Sequence, residues 1–265
     1  MNKKIGFIGC GNMGHAILKG ILNSGLCSAS DVFVSARTKE TLEKIKNELS
    51  VNVCSNVEAA KKSDILFIAV KPNVFKNVID EIKNSVKSDA VIVSIAAGVT
   101  VDNIEQWFGK DIKVTRTMPN TPALVGASMT AICFNEYMKD EDKKDIFDIF
   151  NSFGMCEELE EKYFHAFIAV SGSSPAYIFM LIEAMADSAV QMGIPRNKAY
   201  KFAAQSVMGS AKMVLETGMH PGALKDMVCS PGGTTIDAVI ELENSGFRSS
   251  VEKAMKCCEE KSKKL

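Results

Sequence analysis

Residues 5–14, Ile5-Gly-Phe-Ile-Gly-Cys-Gly-Asn-Met-Gly14, decide how the first half of this chain is read. Gly9, Gly11 and Gly14 stand in the spacing G-x-G-x-x-G. Glycine is common, so the spacing alone says little. Here it closes an apolar run that begins at Lys3 and opens the helical pattern of residues 12–23, the context that gives it a physical meaning. Gly9 allows a tight turn, Gly11 lets a pyrophosphate approach the backbone, and Gly14 lets helix and strand pack closely. The start of the helix then presents unpaired N–H groups and a positive dipole end to the phosphates.

Moving outward, short β-branched runs continue to alternate with helical patterns. Strands are predicted over 3–8, 32–35, 51–54, 65–70, 90–95, 113–116 and 128–134, with helices over 12–23 and 39–49. Near-continuous apolar strands separated by helices indicate a parallel sheet covered on both faces. Beyond about Tyr163 the strand signal stops. Residues 164–192, 196–217 and 247–260 carry helical periodicity and are rich in Ala and Met. The expected organisation is a Rossmann-like, doubly wound α/β domain over residues 1–162, followed by an all-α domain over 163–265.

Composition narrows the function classes. The 265 residues are 46% hydrophobic with a formal net charge of −1, which gives no electrostatic footprint for nucleic acid or an anionic membrane. No apolar run is expected to reach the ~18 residues of a spanning helix. Asn12, His15 and Lys19 interrupt the N-terminal apolar stretch too early for a signal peptide. The eight cysteines, at 10, 27, 54, 133, 156, 229, 257 and 258, form no CxxC pair and no cluster with zinc spacing. No metal site is expected, and a cytoplasmic protein with reduced thiols fits this usage.

The end of the second strand bears on cofactor choice. An NAD site would place Asp or Glu there for the ribose hydroxyls. This chain reads Ser35-Ala-Arg-Thr-Lys39, with no carboxylate until Glu40. Ser35, Arg37 and Thr38 could surround a 2′-phosphate, with Arg37 offering its planar fork. Arg37 and Lys39 can equally be read as ordinary solvated charges. Two more loops fall beyond the carboxyl ends of strands, where such a sheet binds its ligand. Ala69-Val70-Lys71-Pro72 ends one strand, and Met118-Pro119-Asn120-Thr121 follows another, stiffened by Pro119 and Pro122. Each can be a rigid turn or part of the site. The expected cofactor residues are thus Gly9, Gly11, Asn12, Met13, Gly14, Ser35, Arg37, Thr38, Asn56, Ala69, Val70, Lys71, Pro72, Met118, Pro119, Asn120 and Thr121, and the cofactor is NADP.

Near the C-terminus, Pro231, Gly232 and Gly233 break a helical pattern that resumes at once. Thr234-Thr-Ile-Asp237 has the spacing of a helix start, with Thr234 as the expected N-cap. Exposed N–H groups from Gly232 to Thr235 would form an anion-binding nest at a positive helix end. Thr235 adds a hydroxyl. That combination describes a pocket for a small carboxylate carrying a polar nitrogen or oxygen.

The stretch from Pro221 to Ala238, PGALKDMVCSPGGTTIDA, resembles the C-terminal signature of the Δ1-pyrroline-5-carboxylate reductase family, the last enzymes of proline biosynthesis. IGFIGCGNMG, AVKP, RTMPNTPALVG, AVSGSSPAY, MGIPR and NSGFRSSV are similar to that family's segments in the same order. Ser174 departs from it, standing where the family usually has glycine. The resemblance implies NAD(P)H-dependent reduction of a cyclic imine to L-proline, usually with NADPH. It also implies a substrate carboxylate held by Ser230, Gly232, Gly233 and Thr234, with Thr235, the expected catalytic residue, near the ring nitrogen. Interlocked C-terminal helices would form a homodimer, and some members assemble dimers into decamers.

Rival readings carry specific requirements. A β-hydroxyacid dehydrogenase needs a general base, typically a Lys on the first long helix of the second domain, and residues 164–192 contain none. For a metal-dependent reductoisomerase, Glu183 and Asp187 are too few carboxylates. An NADP-sensing protein without turnover would need no Gly-Gly-Thr-Thr pocket, and another cyclic imine could replace pyrroline-5-carboxylate. His165 and His220 read as structural.

Overall fold

The computed structural model describes residues Met1–Lys264. Its first part alternates β1 (Ile5–Ile8), α1 (Asn12–Asn23), β2 (Val32–Ser35), α2 (Lys39–Leu49), β3 (Asn52–Val53), α3 (Asn56–Lys62), β4 (Ile65–Ile68), α4 (Pro72–Ile82), β5 (Val91–Ser94), α5 (Val101–Phe108) and β6 (Lys113–Met118). It continues with β7 (Ser128–Phe134), α6 (Asp140–Asn151), β8 (Gly154–Glu158) and α7 (Phe164–Phe167). The helices that follow are α8 (Ser174–Gln191), α9 (Arg196–Thr217), α10 (Pro221–Val228), α11 (Thr234–Asn244) and α12 (Phe247–Ser262).

The strands form one sheet in the order β3-β2-β1-β4-β5-β6-β7-β8. The chain winds outward in both directions from the β1/β4 pair, so a crevice opens beyond the carboxyl ends of those two strands. β1, β2, β4 and β5 are buried at every position, which is why they read as continuous apolar runs rather than alternating ones. One face packs Phe7 flat on Phe67, ring centroids 4.6 Å apart, with Ile17 and Ile21 of α1 above them. The other face packs Leu66 and Ile92 against Phe75 and Ile79 of α4. Burying each such side chain stabilises the fold by about 1.5–3 kcal/mol.

Local chemistry sets the helix starts. The Ser55 hydroxyl accepts from the Glu58 N–H while the Glu58 carboxylate accepts from the Ser55 N–H, a reciprocal cap on α3. Thr38 and Thr100 cap α2 and α5 through their hydroxyls. Pro72 opens α4, where its missing N–H costs nothing.

Two features of the sheet depart from the sequence reading. β7 pairs antiparallel to β6, because residues 119–127 are too short a link for the crossover that a parallel neighbour needs. β8, absent from the predicted strands, pairs parallel to β7 at the sheet edge. Only Cys156 of its five residues is buried, so it carries almost no hydrophobic signal.

Arg116 of β6 is fully buried among these elements. Its Nη1 donates to Glu161 Oε1 at 2.8 Å, and its guanidinium lies 4.7 Å from the centre of the Phe164 ring. Glu161 Oε1 also accepts from the Val101 N–H, so one carboxylate ties β6 to the start of α5.

The chain forms two compact units: Met1–Gly172 together with the residues from Glu259 onward, and Ser173–Cys258. Within the second unit only Ala186, Ala199 and Ala203 are buried among the described residues. Phe179 and Met180 of α8, Met208 and Leu215 of α9, and Met227 of α10 are exposed. The helical run Glu161–Gln191 is long and apolar enough, by length and composition, to cross a membrane, its best window having a mean hydropathy of 1.4. The expectation that no apolar run reaches that length is therefore corrected: charges are too sparse along this run to break it.

Candidate functional site

A groove of about 690 Å³ lies in the first unit at the carboxyl ends of β1, β2 and β4. Its floor is the turn after β1, and the three glycines there act differently. Gly9 has φ +83°, and a Cβ there would stand 2.6 Å from the Ala69 carbonyl oxygen, so only glycine fits the turn. A Cβ on Gly11 would meet nothing within 4 Å, leaving open space above the backbone. On Gly14 it would stand 3.2 Å from the Ala69 Cβ, so α1 approaches the end of β4 closely. Gly11 is the N-cap of α1 and has no side chain to accept from the first-turn N–H groups, which have no intrahelical acceptor either. This cradle fits a dinucleotide pyrophosphate.

Cys10, inside the same turn, does not add a nucleophile. Burial pushes its thiol up to about 12, so it is neutral at physiological pH. All eight cysteines are free.

At the far end of the groove stand Ser35, Arg37, Thr38, Asn56 and, from α4, Glu81. The Ser35 hydroxyl donates to Asn56 Oδ1 at 2.6 Å, and Asn56 Nδ2 donates to Glu81 Oε2 at 2.7 Å. Arg37 is exposed. The Thr38 hydroxyl already accepts from the Thr41 N–H. Ala69, Val70 and Lys71 form the opposite wall. Sequence reasoning missed Glu81. It sits in the last turn of α4 at an exposed surface position, and only the fold brings it to Asn56.

Asn12, Met13, Gly14, Pro72 and Met118 to Thr121 do not line this groove. Asn12, Met13 and Gly14 form the first turn of α1, and Pro72 the first position of α4. Asn120 is buried with its amide committed elsewhere. Oδ1 accepts from the Met129 N–H at 3.0 Å, and Nδ2 donates to the Ser171 carbonyl at 3.2 Å. Its side chain therefore braces the loop.

The second unit holds the Pro-Gly-Gly break. The Gly233 N–H donates to the Ser230 carbonyl at 3.0 Å, closing a turn in which Gly232 has φ +67°. Gly233, not Thr234, is the N-cap of α11, and the helix begins at Thr234. The nest consequently shifts along the chain: the Gly233 N–H is used in the turn, and the first-turn N–H groups start at Thr234 and Thr235. Ser174 and Pro175 are the first two residues of α8. His220 Nδ1 accepts from the Gly222 N–H as a cap on α10, and His165 Nδ1 lies 2.9 Å from the Ser262 hydroxyl. Asp187 pairs with Arg196. No group of three or more potential metal ligands exists among the described residues.

A doubly wound sheet with an open glycine turn at its switch point, and a groove running from that turn to Arg37, is the arrangement of a nicotinamide-dinucleotide oxidoreductase of the Rossmann type. A pyrroline-5-carboxylate reductase from Escherichia coli (strain K12) is 54% identical over 266 residues, covering 100% of this chain and 99% of that protein. The chain belongs to the pyrroline-5-carboxylate reductase family. Residues 161–265 match the family model for pyrroline-5-carboxylate reductase dimerisation, and residues 4–98 that of the NADP oxidoreductase, coenzyme F420-dependent. Among solved structures, the chain is similar to a Plasmodium falciparum pyrroline carboxylate reductase with NADP bound, at TM-score 0.88 and 35% identity, covering 99% of this chain and 97% of that one. It is also similar to a pyrroline-5-carboxylate reductase from Coxiella burnetii, at TM-score 0.93 and 34% identity, covering 100% and 98%.

Proposed function

We propose that this chain reduces the cyclic imine 1-pyrroline-5-carboxylate to L-proline in the cytoplasm, as an oxidoreductase acting on a CH–NH bond, with NADPH preferred over NADH. The observation that carries the reading is the Ser230 to Thr235 loop running into the N-terminus of α11, in a chain that matches such reductases over its full length. The nicotinamide, when bound, supplies a hydride to the ring carbon of the C=N bond.

The protein's own residues do the rest. Ser230, Gly232, Gly233 and Thr234 hold the carboxylate against the first-turn N–H groups and positive dipole of α11. The glycines leave room for a small ring beside the backbone. The Thr235 hydroxyl orients the ring nitrogen, whose proton makes the imine an iminium and a ready hydride acceptor. No strong catalytic acid is then needed, and the site works by orientation and exclusion of water. Gly9, Gly11 and the first turn of α1 hold the pyrophosphate, with Asn12, Met13 and Gly14 contributing through that turn. Ser35 and Asn56 hold the adenosine ribose, and Arg37 and Thr38 its 2′-phosphate. Ala69, Val70, Lys71 and Pro72 flank the nicotinamide half, and Met118, Pro119, Asn120 and Thr121 form the loop behind it.

The active unit is at least a homodimer. The exposed Phe179, Met180, Leu215 and Met227 form more apolar surface than a lone helical unit supports. Light scattering at assay concentration tests this, and separates a dimer from a dimer-based decamer; a fully active monomer would refute it. The activity is tested by steady-state assay with pyrroline-5-carboxylate and each nicotinamide. Oxidation of NADPH only when the imine is present is the expected result.

A further inference from the structure

The hydrogen-bond chain Ser35–Asn56–Glu81 at the ribose end has a direction, and the direction follows from chemistry. An ionised carboxylate only accepts, so the group of Asn56 that faces Glu81 at 2.7 Å must be its NH₂. Asn56 Oδ1 is thereby turned to Ser35, and the Ser35 hydroxyl must spend its single proton on it, at 2.6 Å. What Ser35 then shows the groove is lone pairs. A ribose hydroxyl can donate to lone pairs, whereas a 2′-phosphate, itself an acceptor, cannot. Glu81 also lines the same groove and forms no ion pair among the described residues, so its charge opposes an incoming phosphate.

We infer that Glu81 is a specificity-determining residue that acts through Asn56 and Ser35 to favour a ribose 2′-hydroxyl over a 2′-phosphate, against the attraction of Arg37. The inference rests on the proposed nicotinamide site and deepens it. β2 ends without the acid that selects NAD, and α4 supplies one from the side at one remove. Glu81 thus moderates, without reversing, the preference for NADPH that Arg37 sets.

The test is direct binding to the purified protein without substrate. Calorimetric Kd values for adenosine 2′,5′-bisphosphate and 5′-AMP, and for NADPH and NADH, are compared in wild type, Glu81→Gln and Glu81→Ala. Gln removes the charge and lets the Asn56 amide turn over; Ala removes the chain altogether. Glu81 is exposed, so neither change threatens folding. The expected result is a shift of both Kd ratios toward the 2′-phosphorylated ligand by about three- to tenfold, the scale of one redirected hydrogen bond. Unchanged ratios in both variants, or a shift toward 5′-AMP and NADH, overturn the inference while leaving the reductase reading standing. A wild type that binds neither nicotinamide overturns both.

Discussion

Asn120 Nδ2 donates to the carbonyl oxygen of Ser171 at 3.2 Å and lies 3.1 Å from its hydroxyl, joining the loop after β6 to the π-helical turn Ile168–Gly172. With Oδ1 engaged by the Met129 N–H, the amide is satisfied entirely by protein. Buried amides that have exchanged all their water for such partners are costly to lose.

Asn120→Ala is therefore expected to lower unfolding free energy by about 1–3 kcal/mol, because it strands the Met129 N–H and removes the amide's bonds to Ser171. Asn120→Asp should be at least as damaging, since a carboxylate cannot donate to a carbonyl. Urea denaturation measures both. Wild-type midpoints would mean that water replaces the brace.

Arg37→Ala tests the 2′-phosphate. KM for NADPH should rise about tenfold, the loss of one charge-assisted hydrogen bond, while KM for NADH stays near its wild-type value. Equal effects on both nicotinamides would remove Arg37 from the phosphate site.

The Pro-Gly-Gly loop makes separable predictions. Gly232→Ala forces a Cβ into φ +67°, a strain of about 1–2 kcal/mol. Gly233→Ala meets no such barrier at φ −85°, but its methyl stands 3.0 Å from the Ser230 hydroxyl and displaces it. Both should cripple imine reduction with NADPH affinity unchanged. Thr235→Val keeps the shape and loses the hydroxyl, and kcat should fall by the equivalent of about 1–3 kcal/mol. The pocket is misplaced if Gly233→Ala and Thr235→Val both fold and turn over normally.

Acid stability should depend on Asp142. Burial pushes this carboxyl up, but the Lys113 and Lys3 ammonium groups outweigh it and hold its pKa below the usual 3.8. Lys113 Nζ lies 2.7 Å from Asp142 Oδ2 and is itself only 7% exposed. A group depressed on folding contributes stability above its unfolded pKa and loses it as pH falls through the folded one. This contribution to stability should thus begin to fall below about pH 4, where the unfolded carboxyl takes its proton first. Asp142→Asn should flatten that limb and, by half-orphaning Lys113, lower stability at pH 7 by about 3 kcal/mol. Denaturation curves at pH 7 and pH 3.5 read both effects, and parallel loss of stability in wild type and variant between them would refute the linkage.

Much of the molecule was legible in the chain because its determinants are local. α1, β2, α2 and β7 form over the residues their patterns predict, since burial on both faces and hydroxyl caps act within a few residues. The glycine spacing carried its meaning although its partner is distant in sequence: Gly9 and Gly14 both answer to Ala69, just past β4. What the sequence by itself determined, then, was the α/β order, the dinucleotide turn and the family. Tertiary structure decided the rest. β8 is a strand only because β7 offers it an edge, and β7 runs antiparallel only because its link to β6 is short. Thr234 looked like a cap until the turn from Ser230 placed Gly233 there. Folding brought Ser171 to the Asn120 amide across 51 residues, and α4 carried Glu81, which the sequence does not single out, to Asn56. A polar side chain states in the sequence how many hydrogen bonds it can make; which partner takes them is settled by which distant segment the core packs beside it.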